Sequence, residues 1–317
     1  MDLQQRARTI IETNLALQPG ETLLVVTDDP TREVGELFYE AARAMDHRAL
    51  IMQMPEGSVA GEEPPAPVAA AMKAADVALC PTAKSITHTN ARIKAAAAGT
   101  RVVTMPGITM DMLRDGAACA DYDQVERRTR QLTERLTHAK HARIEKDGHV
   151  LELALTGRDG VASPGVYREP GASATSPRAR RTSHRLEDGA NGTAVIDGSM
   201  VGIGTLTEPM TVTIENGRLT RIEGADAQGP YAERLSVLFE QPENGTIAEL
   251  GIGTNEAAKL CGISSKTRSS TAPSTSPSAR TPRSAASSKR TATSTASSST
   301  PTLYLDDECV IRKGEFL

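Results

Sequence analysis

The residue best placed to do chemistry is Glu249, in the run "IAELGIGTN". It follows an apolar approach and precedes a glycine-rich turn, which puts it at the end of an expected strand. A carboxylate there could ligate a metal ion; the plain alternative is a buried, hydrogen-bonded Glu. His138 and His141, spaced i, i+3 in "THAKHARI", could share a metal if one helix carried both. No acid or cysteine accompanies them in a ligand pattern, and a solvated helix face explains them. His47, His88 and His149 are isolated. Cys80, Cys119, Cys261 and Cys309 form no C-x-x-C pair, so neither a zinc ribbon nor a disulfide framework is indicated. "LGIGTN" and "VGIGTL" each lack the third glycine of a dinucleotide fingerprint, with Glu256 and Thr207 in its place.

The elements that must position these groups fall into two patterns. Residues 1–145 alternate short apolar runs ("LLVVT", "ALIMQM", "DVALC", "RVVTM") with helical stretches ("TREVGELFYEAARAM", "PVAAAMKAA", "ITHTNARIKAAAAG"). Strands buried on both faces and separated by helices imply a parallel sheet in a layered α/β domain. Gly20 and Gly99 stand where helix C-caps are expected. A long polar helix is expected from Tyr122 to Ile144. After it the period changes to two, in "HVLELALTG", "GTAVIDGSM" and "MTVTIENGRLTRIEG", where Asn-Gly marks a hairpin turn. Residues 146–317 therefore read as a β-rich α+β domain, with a helix near "AERLSVLFEQ".

Charge divides the chain differently. The net charge is −4, yet residues 174–185, "ATSPRARRTSHR", carry four Arg and no acid. Residues 263–300 carry six basic residues and no acid, and are mostly Ser and Thr. Taking these ten positive charges out leaves −14, an acidic protein. Such a balance argues against nucleic-acid binding, whose basic surface extends over the fold itself. No apolar run approaches the roughly 20 residues needed to span a bilayer, so a cytoplasmic protein without a membrane partner is expected. A disordered linker fits the composition of the second stretch. A structureless insert of that length inside a compact domain is uncommon, however, and "PTLYLDD" resumes as core strand directly after it.

"LQPGETLLVVTD", "NGTAVIDGSM", "VTIENGRLTRIEG", "IAELGIGTNEAAKL" and "PTLYLDDE" together resemble the aminopeptidase-T-like (thermophilic metalloprotease) family, across nearly the whole chain. The resemblance implies an α/β domain followed by a β-rich catalytic domain holding two divalent metals. Its ligands would be a Glu in "LP-x-GE", a Glu in "AELGIGTN", a His in "GTVHIA-x-G", and a His and an Asp in "H-x-DG". Only Glu249 survives. The other positions fall in the two basic stretches, and translation one base out of frame accounts for both. Under that shift Thr stands for His, Asp, Asn or Tyr, Ser for Val, Ile, Leu or Phe, and Arg (AG-) for Glu. "APSTSPSA" then permits Gly-Thr-Val-His-Ile-Ala-Phe-Gly, with its His at Thr275. "TSTA" permits His-Ile-Asp-Gly, with ligands at Thr293 and Thr295, and the first stretch places the missing Glu at Arg180.

The function implied by the resemblance is a metal-dependent aminopeptidase acting on peptides, with Zn, Co or Mn as the metal pair. The chain as it stands, with Arg180, Thr275, Thr293 and Thr295 at the ligand positions, is expected to be inactive. Ring-cleaving dihydroxypyridine dioxygenases resemble the same family; there two His and one Asp, at 275, 293 and 295 in the restored frame, would hold one Fe(II). A non-enzymatic binding protein with a disordered basic Ser/Thr segment is the reading from another class. A homodimer is compatible with the family.

Overall fold

The computed structural model describes residues 2–157, 159–174, 178–182, 189–200, 204–224, 232, 235–236, 245–257, 273–277, 296–297 and 300–317. The chain divides into two compact units, Met1–Glu126 with Ser163–Pro177, and Arg127–Ala162 with Arg178–Leu317. An α/β unit with a parallel sheet and a β-rich antiparallel unit are both present, as the patterning implies.

The first unit is built on a five-stranded parallel sheet, in the order Arg48–Met54, Thr22–Asp28, Val77–Cys80, Arg101–Thr104 and Ser173–Ala174. Its central strands are apolar because both faces are covered. Leu23, Val25, Val77 and Leu79 pack with Leu37, Phe38, Ala41 and Ala42 of the helix Arg32–Ala44. Leu24, Val26, Ala78 and Cys80, one residue out of phase, pack with Val68, Met72, Ala91 and Ala95. Those four come from the helices Ala66–Ala74 and Asn90–Ala97. Gly99 ends the second of these at φ +104°. Its N–H bonds the Ala96 carbonyl at 3.0 Å, and the Thr100 N–H bonds that of Ala95 at 3.1 Å, which completes a Schellman cap. Gly20 lies instead in the turn leading into Thr22–Asp28.

The strand order reverses between Thr22–Asp28 and Val77–Cys80. In open α/β sheets the carboxyl ends of such strands commonly receive a ligand. Here the buried Asp28 carboxylate accepts the Ala83 N–H at 2.7 Å and the Thr31 hydroxyl at 2.7 Å. The protein's own side chains tie the two loops together at this point.

The second unit has an eight-stranded antiparallel sheet. Its order is Arg218–Glu223, Met210–Glu215, Ala190–Ile196, His149–Ala154, His141–Lys146, Thr302–Leu305, Glu308–Arg312 and Glu315–Phe316. A seven-stranded sheet runs Gly204–Thr205, Ser199–Met200, Ala296–Ser297, Pro273–Pro277, Ile247–Gly253, Arg178–Thr182 and Gly160–Ser163. Leu151, Leu153, Met210, Val212, Leu303 and Ile311 share one core with Leu250 and Ile252. The hairpin Met210–Glu223 turns at Asn216 and Gly217, both at positive φ, as a two-residue I′ turn requires. Gly192 is fixed by contact: at φ +122°, a Cβ would lie 2.2 Å from the Val150 carbonyl oxygen of the neighbouring strand.

One expectation is corrected. The polar helix ends at His138, and Ala142 and Ile144 point into the core from the strand His141–Lys146. Burial of alternate residues overrides the helical propensity of this stretch, so His138 and His141 do not share a helix face. The helix expected near "AERLSVLFEQ" lies largely outside the described residues, although Leu235 joins the core. Among the described residues, no helix is long and apolar enough to cross a membrane.

Cys80 is fully buried, and burial pushes its thiol up from 9.0 to about 12. A thiol neutral in the fold but ionised in the unfolded chain stabilises the fold below its unfolded pKa of 9.0 and loses that contribution as pH rises toward about 12. Native protein should therefore leave Cys80 unmodified by a thiol reagent at about pH 8. The denaturation midpoint of this unit should fall as pH rises from 9.0 toward about 12. A midpoint that stays flat over that window would contradict the buried, neutral thiol.

Candidate functional site

The strand Ile247–Gly253 carries Glu249 and lies between Arg178–Thr182 and Pro273–Pro277. Glu249 stands opposite Thr182 on one side and Ser276 on the other. Arg180 stands opposite Gly251, and Thr275 opposite Leu250. The register shifts between Ile247 and Glu249, so an extra residue enters the strand directly before the carboxylate. Bulges of this kind re-aim a side chain and gather at functional sites. One strand further on, Thr275 stands opposite Ala296, the residue after Thr295. The backbone thus brings positions 180, 249 and 275 onto three consecutive strands. Thr293 and Thr295 lie outside the described residues.

Both ends of the Glu249 strand are pinned. At its start the Ile247 N–H donates to the Gly217 carbonyl at 2.7 Å, which ties it to the hairpin turn. At its end Thr254 and Asn255 are fully buried. The Thr254 hydroxyl lies 2.7 Å from that of Thr129, on the helix Tyr122–His138. Arg128 reaches the Thr254 carbonyl at 3.5 Å and the Glu256 carboxylate at 2.6 Å. Its guanidinium lies 4.7 Å from the centre of the Phe316 ring. Sequence reasoning missed Arg128, Thr129 and Phe316. In a helix reading "ERRTRQLTER", nothing distinguishes one buried threonine from its exposed neighbours.

A second device sits at the crossing between the sheets. Asp197 follows Ala190–Ile196 and precedes Ser199–Met200, whose Met200 pairs with Ala296. Its carboxylate is ion-paired with Lys146, and both side chains are largely buried. Removing one partner would strand the other charge, so this pair holds the crossing in place.

Two of the isolated histidines make local contacts. The His47 N–H closes the helix Arg32–Ala44 on the Ala42 carbonyl at 3.1 Å, and His149 Nδ1 lies 2.9 Å from the Thr193 hydroxyl. "LGIGTN" covers the last residues of the strand Ile247–Gly253 and the two that follow it. Among the described residues, no three His, Cys, Asp or Glu side chains gather as a metal site.

Residues 7–280 match the sequence model of the 2,5-dihydroxypyridine 5,6-dioxygenase (NicX) family. The chain belongs to that family. A solved 2,5-dihydroxypyridine dioxygenase from Pseudomonas putida KT2440 shares the fold at a TM-score of 0.74 and 18% identity, over 99% of this chain and 96% of that one. Wild-type AmpT from Thermus thermophilus shares it at a TM-score of 0.67 and 12% identity, over 99% of this chain and 98% of that one. At such identities the likeness is one of fold alone. No curated protein matches. Of the two families that the sequence resembles, the dioxygenase family is the one whose model matches. That match stops at residue 280, inside the second basic stretch.

The side-chain types present do not fit a catalytic divalent metal. Positions 275, 293 and 295 offer neutral hydroxyls, and Glu249 is a single carboxylate. The adjacent strand contributes Arg178, Arg180 and Arg181, whose charge is fixed at any working pH.

The Glu256 carboxylate is mostly exposed, so its ion pair with Arg128 contributes little; the carbonyl bond and the ring stack matter more. Arg128→Ala should lower the stability of the second unit by about 1–2 kcal/mol. It should also speed amide exchange along residues 247–253. Thermal denaturation and hydrogen exchange together check this, and unchanged exchange on that strand would mean that Arg128 does not hold it.

Proposed function

We propose that this chain is built on the scaffold of a ring-cleaving dioxygenase for a dihydroxypyridine, and that the chain as it stands is catalytically silent. The observation that carries the first half is the family match over residues 7–280, which includes the Glu249 strand and both neighbours. What supports the second half is the donor set: Arg180, Thr275, Thr293 and Thr295 occupy the positions where the sequence pattern calls for Glu, His, His and Asp. Read one base out of frame, positions 275, 293 and 295 supply two imidazoles and a carboxylate, the set suited to one Fe(II) with open positions. The aminopeptidase reading keeps one specific support, the carboxylate that the same shift gives at 180 beside Glu249, which would suit a metal pair.

The chain as it stands, incubated anaerobically with Fe(II), Zn(II) or Mn(II) and desalted, should retain far less than equimolar metal. It should leave 2,5-dihydroxypyridine unconsumed. A chain with residues 174–185 and 263–300 encoded in the shifted frame should retain equimolar iron and consume that substrate with oxygen. Stoichiometric metal and turnover in the unaltered chain would refute its silence. Peptide hydrolysis without ring cleavage by the reframed chain would refute the dioxygenase assignment.

A further inference from the structure

The carboxyl edge of a parallel sheet is where open α/β folds receive ligands. At Asp28 the protein's own groups fill it, through the Ala83 N–H and the Thr31 hydroxyl. The helix Asn90–Ala97 connects Val77–Cys80 with Arg101–Thr104, so it begins at the same edge, further along the sheet. Its first N–H groups are also taken. The Glu63 carboxylate accepts those of Asn90 at 2.5 Å and Ala91 at 3.0 Å. Arg92, in the first turn, is different. Its Nε donates to the Thr87 carbonyl at 2.8 Å and its Nη1 to the Ser173 hydroxyl at 2.7 Å. Both partners are neutral, and a guanidinium has five N–H donors. Among the described residues no carboxylate neutralises it, and burial alone moves its pKa, downward. Arg101, buried in the same unit, has Glu21 at 2.5 Å.

We propose that Arg92 and Ser173 form a binding site for the carboxylate of a small molecule at this edge of the first unit. The bonds to Thr87 and Ser173 hold the guanidinium plane in one orientation, so little freedom is lost when a carboxylate takes its remaining donors. Ser173 accepts from Arg92 and keeps its own hydroxyl hydrogen to donate to the same ligand. Thr87 is itself fixed, because its hydroxyl lies 2.8 Å from that of Thr104 and 2.9 Å from that of Ser85. Glu63 sets the charge of the ligand. With its carboxylate held at the start of the same helix, a singly charged carboxylate is favoured over a doubly charged phosphate. The proposal uses no residue of the second unit and does not rest on the dioxygenase reading.

Nuclear magnetic resonance of the full chain, titrated with acetate at constant ionic strength, tests this. The amide signals of Thr87, Arg92 and Ser173 and the Arg92 Nε–H signal should shift along one saturable curve, with a Kd of about 1–10 mM. Phosphate should bind more weakly. Arg92→Lys keeps the charge but not the planar fork and should weaken acetate binding about tenfold. Ser173→Ala removes one hydroxyl, leaves the guanidinium in place and should weaken it about threefold. The second variant keeps the test decisive should the first fail to fold. Shifts that stay linear in acetate, or that chloride reproduces, overturn the proposal. So does phosphate binding tighter than acetate, or a titration that either folded variant leaves unchanged.

Discussion

The register of the strand Ile247–Gly253 is the constraint on which the rest of the second unit depends. Hydrogen bonding to the hairpin turn holds its start, and the contacts of Thr254 with Thr129 and Arg128 hold its end. Between these anchors Leu250 and Ile252 are fully buried. A slip of one residue would turn both out of the core, an error that costs far more than any one contact along the strand. With the strand fixed, its neighbours can present positions 180 and 275 only at the places they now hold.

Against that backbone, the side chains of two neighbouring strands are out of character. Pro273 and Pro277 stand opposite Ile252 and Ile247 in a strand flanked on both sides. Neither has an N–H to give a ladder, and proline belongs at sheet edges. Arg180 and Arg181 stand opposite Gly251 and Leu250, where the other strands of this core alternate apolar residues. Natural sequences are locally consistent with their folds, and a conflict confined to two segments points to those segments. Translation one base out of frame, as proposed above, would account for both segments at once.

Much of the architecture could be read from the sequence because it rests on burial with a clear period. The four parallel strands, the helix end at Gly99 and the Asn-Gly hairpin all follow from local pattern. Glu249 stands out in the sequence because a carboxylate inside an apolar run is uncommon. What escaped depends on distant partners. Helix and strand compete over residues 139–144, and pairing with Thr302–Leu305 decides the matter for strand. The return of Ser163–Pro177 to the first unit is equally hidden, since "SPGVYREPGASA" has no strand period. Tyr167 is nevertheless buried in the first core, and its N–H donates to the Asn14 carbonyl at 2.6 Å. Arg128 and Thr129 escaped because their partners lie more than a hundred residues away.

The central claim is that this is a dioxygenase-family scaffold whose ligand-bearing strands are encoded out of frame. The most direct test is the DNA sequence across codons 174–185 and 263–300, read from independently prepared genomic template. The account predicts that the shifted frame is the true one, with Glu at 180, His at 275 and 293, and Asp at 295. If the present frame is confirmed at both stretches, the shared shift is coincidence and the basic segments are genuine parts of a chain that has lost its site.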